Sequence, residues 1–321
     1  MTNHPITNHP ITYNSFPRYL SAKKSIDDRA LNQHVWHSLH QSLAARRVDP
    51  QKPLQVVEIG GGIGTMVERA VERDLFTSVD YTLVDALAEN IAMAQERLPR
   101  RAVEAGYMIE DRAKASCLRI SQPVSGRQLT VNLETADCFD FAAQPEQAER
   151  YDLLIAHAFL DLVDIPQALP RLRALLRPHA LCYLTINFDG GTILQPELDP
   201  GFDHLIESLY HETMDKRITN GRPSGDSHSG RHLFGHLRAA GIEIIDAGSS
   251  DWVVFAHSTG YSADEAYFLH FIIQTMQSAL RNHPALDQPR FQAWIEKRHA
   301  QIERGELVYI VHQLDFLGRL D

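Results

Sequence analysis

Three acidic residues, each at the end of an apolar run, and one cluster of glycines are the residues whose types and spacing could do chemistry in this chain. The first acid opens the pattern Glu58-x-Gly60-x-Gly62-x-Gly64, preceded by Val56-Val57 and followed by the helix-like run Met66-Val67-Glu68-Arg69-Ala70-Val71. That order reads as strand, tight turn, helix. A turn this sharp uses positive φ, and a missing Cβ lets a ligand lie against the backbone. The first turn of the following helix offers free N–H groups to a polar ligand. The second acid, Asp85, ends the run Tyr81-Thr82-Leu83-Val84 and is followed by Ala86; it lies 21 residues past Gly64. Nucleotide-binding βαβ units place an acid about 20 residues on, where it accepts hydrogen bonds from ribose hydroxyls. The third, Asp137, follows a strand at 129–133 and precedes Cys138 and Phe139. A dinucleotide fingerprint, G-x-G-x-x-G, would need glycine where Thr65 stands.

The E-x-G-x-G-x-G turn, with Asp85 and Asp137 in register after it, resembles the class I S-adenosylmethionine-dependent methyltransferases. The resemblance covers residues 50–190 and touches the last 80 weakly. It implies an α/β fold: a Rossmann-like, doubly wound, seven-stranded sheet whose last strand is antiparallel. It also implies S-adenosylmethionine as cofactor and S-adenosylhomocysteine as product. Gly60, Gly62 and Gly64 would pass under the methionine part and Glu58 would help hold its amino group. Asp85 and Ala86 would meet the ribose, and Asp137 with Cys138 and Phe139 the adenine. The family often carries an N-terminal segment that closes over the site, which would bring Arg18, Tyr19 and Lys23 to a substrate pocket. The end of the fifth strand would add Asn187 and Asp189.

The elements that must position these residues follow in order. A repeat, Thr2-Asn3-His4-Pro5-Ile6 and Thr7-Asn8-His9-Pro10-Ile11, is too short for a repeat architecture and marks residues 1–16 as a flexible tail. A helical cap occupies 17–49, with Ser25 as a candidate N-cap ahead of Asp27 and Asp28. The core runs from 50 to 190. Its fourth strand, Tyr151–Ala156, continues into His157 and Asp161 near the expected reaction centre. A helix ending at Leu175-Leu176-Arg177-Pro178 precedes a fifth strand at 181–186. Residues 191–229 change composition and read as a substrate-cap insertion too polar for sheet. The remainder, 230–321, returns to the sheet with helices inserted between its last strands.

Composition excludes other classes. With 44% hydrophobic and 22% charged residues, 321 residues can bury a large core. A net charge of −10 without a basic run argues against nucleic acid. Cys117, Cys138 and Cys182 have no C-x-x-C spacing, which fits a reducing cytoplasm. No apolar run reaches the roughly 20 residues of a membrane helix, and the polar start does not read as a signal peptide. No membrane partner is expected; a small-molecule acceptor is, and a homodimer is admissible. Among 17 histidines there is no H-E-x-x-H or Cys/His cluster, so no metal is expected.

Methyl transfer needs alignment and desolvation, and a base only where the acceptor carries a proton. His157 is the first candidate base, because its ordinary pKa suits neutral pH, and His211 and His228 follow. The acceptor atom (O, N, C or S) stays open. The alternatives are a cofactor-binding subunit without turnover, an NAD(P) oxidoreductase lacking its third glycine, and an aminopropyltransferase lacking the acid that Ile63 replaces.

Overall fold

The computed structural model describes residues 13–45, 52–114, 116–219 and 221–321. The repeated pentapeptide and the end of the expected N-terminal cap lie outside them. Two helices open the described chain, α1 (Phe16–Ala30) and α2 (Gln33–Ala45). Ser15 caps α1 by accepting from the Arg18 N–H, and Asn32 Oδ1 accepts from the N–H groups of His34 and Val35 at the start of α2. Ser25 is therefore no cap: it lies inside α1, where its hydroxyl donates to Glu265. The packed chain also begins before residue 17, because Tyr13 stacks on His270 with ring centroids 4.2 Å apart.

Strand β1 (Leu54–Ile59) leads through the glycine turn into α3 (Thr65–Glu72), and β2 (Ser78–Asp85) leads into α4 (Ala88–Glu104). A hairpin, β3 (Met108–Lys114) and β4 (Cys117–Gln122), precedes β5 (Arg127–Thr135) and the short α5 (Cys138–Ala142). Then come β6 (Tyr151–His157), α6 (Ile165–Arg173) and β7 (Leu176–Gln195). α6 ends earlier than its leucine pattern suggests. The N–H groups of Glu149, Arg150 and Tyr151 bond to the carbonyls of Ala174 and Leu175, which draws Leu176-Arg177-Pro178 into the sheet beside β6. The 20-residue β7 bends at His179 and Ile186, both at positive φ, and runs past the expected core boundary at 190.

The insertion that follows consists of α7 (Pro200–Asp215) and a two-residue hairpin, β8 (Ile218–Thr219) with β9 (Arg222–Pro223), so even this polar stretch pairs briefly as sheet. After α8 (Ser229–Ala239) come β10 (Ile242–Ser249) and β11 (Trp252–Val254), both paired with the last strand. α9 (Glu265–Leu280) and α10 (Gln288–Glu303) intervene before β12 (Val308–Leu320), as expected for helices inserted between the closing strands.

The main sheet runs β10-β12-β7-β6-β1-β2-β5-β4-β3. β5, β2, β1, β6 and β7 are mutually parallel, and β12 is antiparallel to its neighbours β7 and β10. This is the doubly wound sheet with an antiparallel final strand, extended at one edge by the β3–β4 hairpin. Two apolar layers cover its faces, one with α2, α3 and α4 and the other with α5, α6 and α8. A third cluster, around Phe268, Ile273 and Trp294, ties α1 to α9, α10 and the outer ends of β7 and β12. The order of the strands reverses between β1 and β6, the place where open α/β sheets bind ligands.

Candidate functional site

At that reversal lies a cavity of about 860 Å³, floored by the carboxyl ends of β1, β2, β5 and β6 and roofed by α1 and the β8–β9 hairpin. Glu58 lines it almost fully buried. Tyr81 donates a 2.8 Å hydrogen bond to its Oε2. Burial pushes the Glu58 carboxyl up to about 8, against the Tyr81 bond and Arg69, with Asp85 adding to the rise.

The glycine turn does what its spacing requires. Gly60 and Gly62 line the cavity at φ of 68° and 55°, and a Cβ on Gly60 would stand 2.4 Å from Phe159 Cδ2. Gly64 has φ 83° but belongs elsewhere: it is the N-cap of α3 and rests on Leu98, outside the cavity. Asp85 holds the turn in place. Its Oδ2 accepts from the Gly62 N–H at 2.8 Å, and its Oδ1 from Leu87 N–H and Asn90 Nδ2. Each carboxylate oxygen has about two acceptor directions, so Oδ2 keeps one for a ligand, and Ala86 lies beside it on the wall.

Asp137 caps α5 through Oδ1, which accepts from Phe139 N–H at 2.8 Å and from Asp140 N–H, and Oδ2 has no partner among the described residues. Cys138 and Phe139 also line the cavity. Burial pushes the Cys138 thiol up to about 12, which leaves it an apolar wall and no nucleophile at neutral pH.

His157 reaches the cavity but is not poised as a free base. Its Nδ1 lies 2.8 Å from Thr185 Oγ1 and its Nε2 lies 3.0 Å from Asp27 Oδ2, so both ring nitrogens are engaged. Burial, together with the Arg69 guanidinium, drives its pKa down to about 4, against the pull of Asp27. The neutral ring that donates from Nε2 to Asp27 and accepts at Nδ1 from Thr185 serves these two partners, while Arg69 Nη1 lies 3.3 Å from the same Nε2. Asp27 also receives Lys23 Nζ at 3.0 Å and the Trp252 indole N–H at 2.9 Å. Burial works to raise its carboxyl, yet Lys23, His157 and Arg69 together hold it below the ordinary range. This cluster fastens α1 over the cavity.

The remaining candidates divide. Tyr19 lines the cavity, as expected. Arg18 does not: it is exposed, pairs with Asp264 at 2.9 Å and lies over the Tyr267 ring, because α1 turns that face outward. Asn187 is buried with Nδ2 bonded to the carbonyls of Leu184 and Leu314, where it holds β7 to β12. Asp189 accepts from the backbone and side chain of Arg231 and anchors the start of α8. His211 bonds to Thr192, and His228 sits against Gly190 at the N-cap of α8. These last four residues lie outside the cavity wall, which removes His211 and His228 as bases for it. Among the described residues, no group of three or more His, Cys, Asp or Glu could hold a metal ion, and no helix is long and apolar enough to cross a membrane.

The structure adds wall residues that no motif marked, namely Asn90, Trp252 and Gln313. Asn90 sits in the first turns of α4, five residues past Asp85, and its Oδ1 is buried without a partner. Backbone strain gathers here too. Ala158 and Ile186 hold φ of 51° and 57° on the cavity wall, and the Ile186 N–H is pinned by Asp315 at 2.7 Å.

No family model and no curated protein matches the chain. Solved structures that it resembles include the YcgJ protein from Bacillus subtilis, with 13% identity, 89% of this chain and 98% of that chain covered, and a TM-score of 0.46. A SAM-dependent methyltransferase from Methanosarcina mazei gives 12% identity, 84% and 93% coverage, and a TM-score of 0.43. Geranyl diphosphate C-methyltransferase from Streptomyces coelicolor gives 12%, 89% and 76%, and 0.42. These are loose likenesses, and the residues of the cavity itself carry the functional reading.

Proposed function

We propose that this chain is an S-adenosylmethionine-dependent methyltransferase acting on a small-molecule acceptor. One observation carries the reading: Glu58, Asp85 and Asp137 stand at the carboxyl ends of three strands around one cavity, over a glycine turn with positive φ. The donor set fits the group. Asp85 Oδ2 and the orphaned Asn90 Oδ1 are acceptors for ribose hydroxyls. Asp137 Oδ2 is an acceptor for an exocyclic amine, beside the apolar Cys138 and Phe139. Glu58 faces the end where an ammonium would be held. S-adenosylmethionine held here would supply a sulfonium methyl group to the acceptor's lone pair, with S-adenosylhomocysteine as the leaving group.

The chain's own work is to align and to exclude water. α1 covers the cavity and is held there by Asp27, which joins Lys23, His157 and Trp252. The closure desolvates the reacting groups and strengthens every electrostatic contact inside. His157 is a positioning residue in this account, because both its nitrogens are taken. An NAD(P) reading meets a physical obstacle beyond the missing glycine at Thr65. A pyrophosphate laid at the glycine turn would face the acid Asp85, whose Oδ2 already accepts from the Gly62 N–H, and like charges in a buried site repel.

The reading is tested by photocrosslinking radiolabelled S-adenosylmethionine and mapping the labelled peptides. Label on 54–91 or 136–164 is expected. Label confined to α8 and β10, on the other side of the sheet edge, would place the cofactor elsewhere.

A further inference from the structure

Beyond the cofactor acids, the cavity wall carries ring surface from Phe16, Tyr19 and Trp252, with Asp161 and Gln313 as polar members. Asp161 acts electrostatically on Tyr19 and is acted on by Lys23, whose Nζ lies 5.3 Å from the centroid of the Trp252 ring. Gln313 is 2% exposed and its Oε1 has no hydrogen-bond partner; Asp161 Oδ1 is also buried without one. Two buried acceptors with nothing donating to them are rare in a finished core, since each unsatisfied group is costly to bury. Charge points the same way. Seven acidic and two basic side chains line the cavity, and both bases are committed: Lys23 to Asp27 at 3.0 Å, Arg171 to the face of the Phe139 ring. The groups that act on Asp161 are its own backbone N–H, Arg217, Lys23 and Asp226, and burial outweighs them to leave its carboxyl raised.

We infer that Asp161 and Gln313, framed by Tyr19 and Trp252, form an acceptor subsite for an amine. The ammonium or amine N–H groups would donate to the Asp161 carboxylate and the Gln313 carbonyl, and its carbon skeleton would lie on the aromatic walls, whose ring faces attract cations. Acceptors bearing carboxylate or phosphate beside the reacting atom would meet an acidic wall whose two cations already have partners. The subsite rests on the methyl-donor reading only for its role as the acceptor's seat; its preference for amines follows from its own residues.

The test measures binding of phenethylamine, 2-phenylethanol and 3-phenylpropionate to the full chain by ligand-observed NMR, with S-adenosylhomocysteine binding measured on the same samples. The amine should bind about tenfold or more tightly than the alcohol, and the carboxylate least, as expected for a charge-assisted pair beside aromatic rings. Asp161→Asn should close the gap between amine and alcohol. Gln313→Leu, which keeps the carboxylate, should weaken both while preserving their order. Equal binding of the three probes, no binding of the amine, or an unchanged amine preference in Asp161→Asn would overturn the subsite. Amine preference without S-adenosylhomocysteine binding would keep the subsite and reject the cofactor reading. Cofactor binding without amine preference would do the reverse.

Discussion

The Nε2 atom of His157 lies 3.0 Å from Asp27 Oδ2, a contact that joins the end of the fourth parallel strand to the N-terminal helix. It makes a histidine that reads as a base in the sequence into a buried clasp, and it links the stability of the fold to pH.

His157 has a folded pKa of about 4, below its ordinary 6.5, so between those values the unfolded chain binds a proton that the folded chain refuses. Its contribution to stability is therefore intact above pH 6.5 and declines as pH falls toward 4. The difference in unfolding free energy between wild type and His157→Gln should shift against the wild type by up to about 3 kcal/mol across that window. Urea unfolding at four pH values measures it. A difference that stays constant from pH 6.5 to 4 would contradict the buried, neutral ring.

Glu58 titrates in the opposite sense. With its carboxyl pushed up to about 8 by burial, the folded chain holds a proton between about 4.5 and 8 that the unfolded chain has lost, so this group's contribution to stability falls as pH rises through that range. A ligand ammonium beside it favours the carboxylate and expels the proton. S-adenosylhomocysteine should bind with release of up to one proton at pH 7, and its affinity should rise toward pH 8. Calorimetry in two buffers of different ionisation enthalpy reads the release. Identical enthalpies in both buffers, or an unaltered result in Glu58→Gln, would remove Glu58 from the linkage.

The glycine turn is closed from above by Phe159. Gly60→Ala meets two penalties, the positive φ of 68° and a Cβ that would stand 2.4 Å from Phe159 Cδ2. The φ term alone is about 1–2 kcal/mol. Removing the ring should remove the second penalty, so Gly60→Ala should destabilise a Phe159→Ala background by less than it destabilises the wild type. Equal losses in denaturant unfolding would mean that the ring moves aside freely.

The sequence made legible those features that depend on local geometry. A turn needing positive φ shows its glycines, and an acid at a strand end shows itself by its distance from that turn, so the places of Glu58, Gly60, Gly62, Asp85 and Asp137 on one cavity wall are readable. Gly64, at the same spacing, stands at the N-cap of α3 and off the cavity wall. Residues that reach the cavity from distant elements left no local mark. Trp252 and Gln313 come from β11 and β12, and Asp27 joins the site only because α1 crosses the sheet edge. Arg18 and Tyr19 are neighbours in sequence, yet the roughly 100° between successive residues of α1 sends Arg18 to Asp264 and Tyr19 into the cavity. Asn187 and Asp189 do not sit at a strand end: β7 continues through them to Gln195, and their side chains hold strands and helix together.

The central claim is that the three strand-end carboxylates and the glycine turn form one S-adenosylmethionine pocket. Isothermal titration of the wild type and Asp85→Ala with S-adenosylhomocysteine and, separately, NADH tests it most directly. S-adenosylhomocysteine should bind and NADH should not, and Asp85→Ala should weaken binding by about 1.5–3 kcal/mol for each charge-assisted hydrogen bond lost. Binding of NADH in place of S-adenosylhomocysteine, or an affinity unchanged by Asp85→Ala, would contradict it.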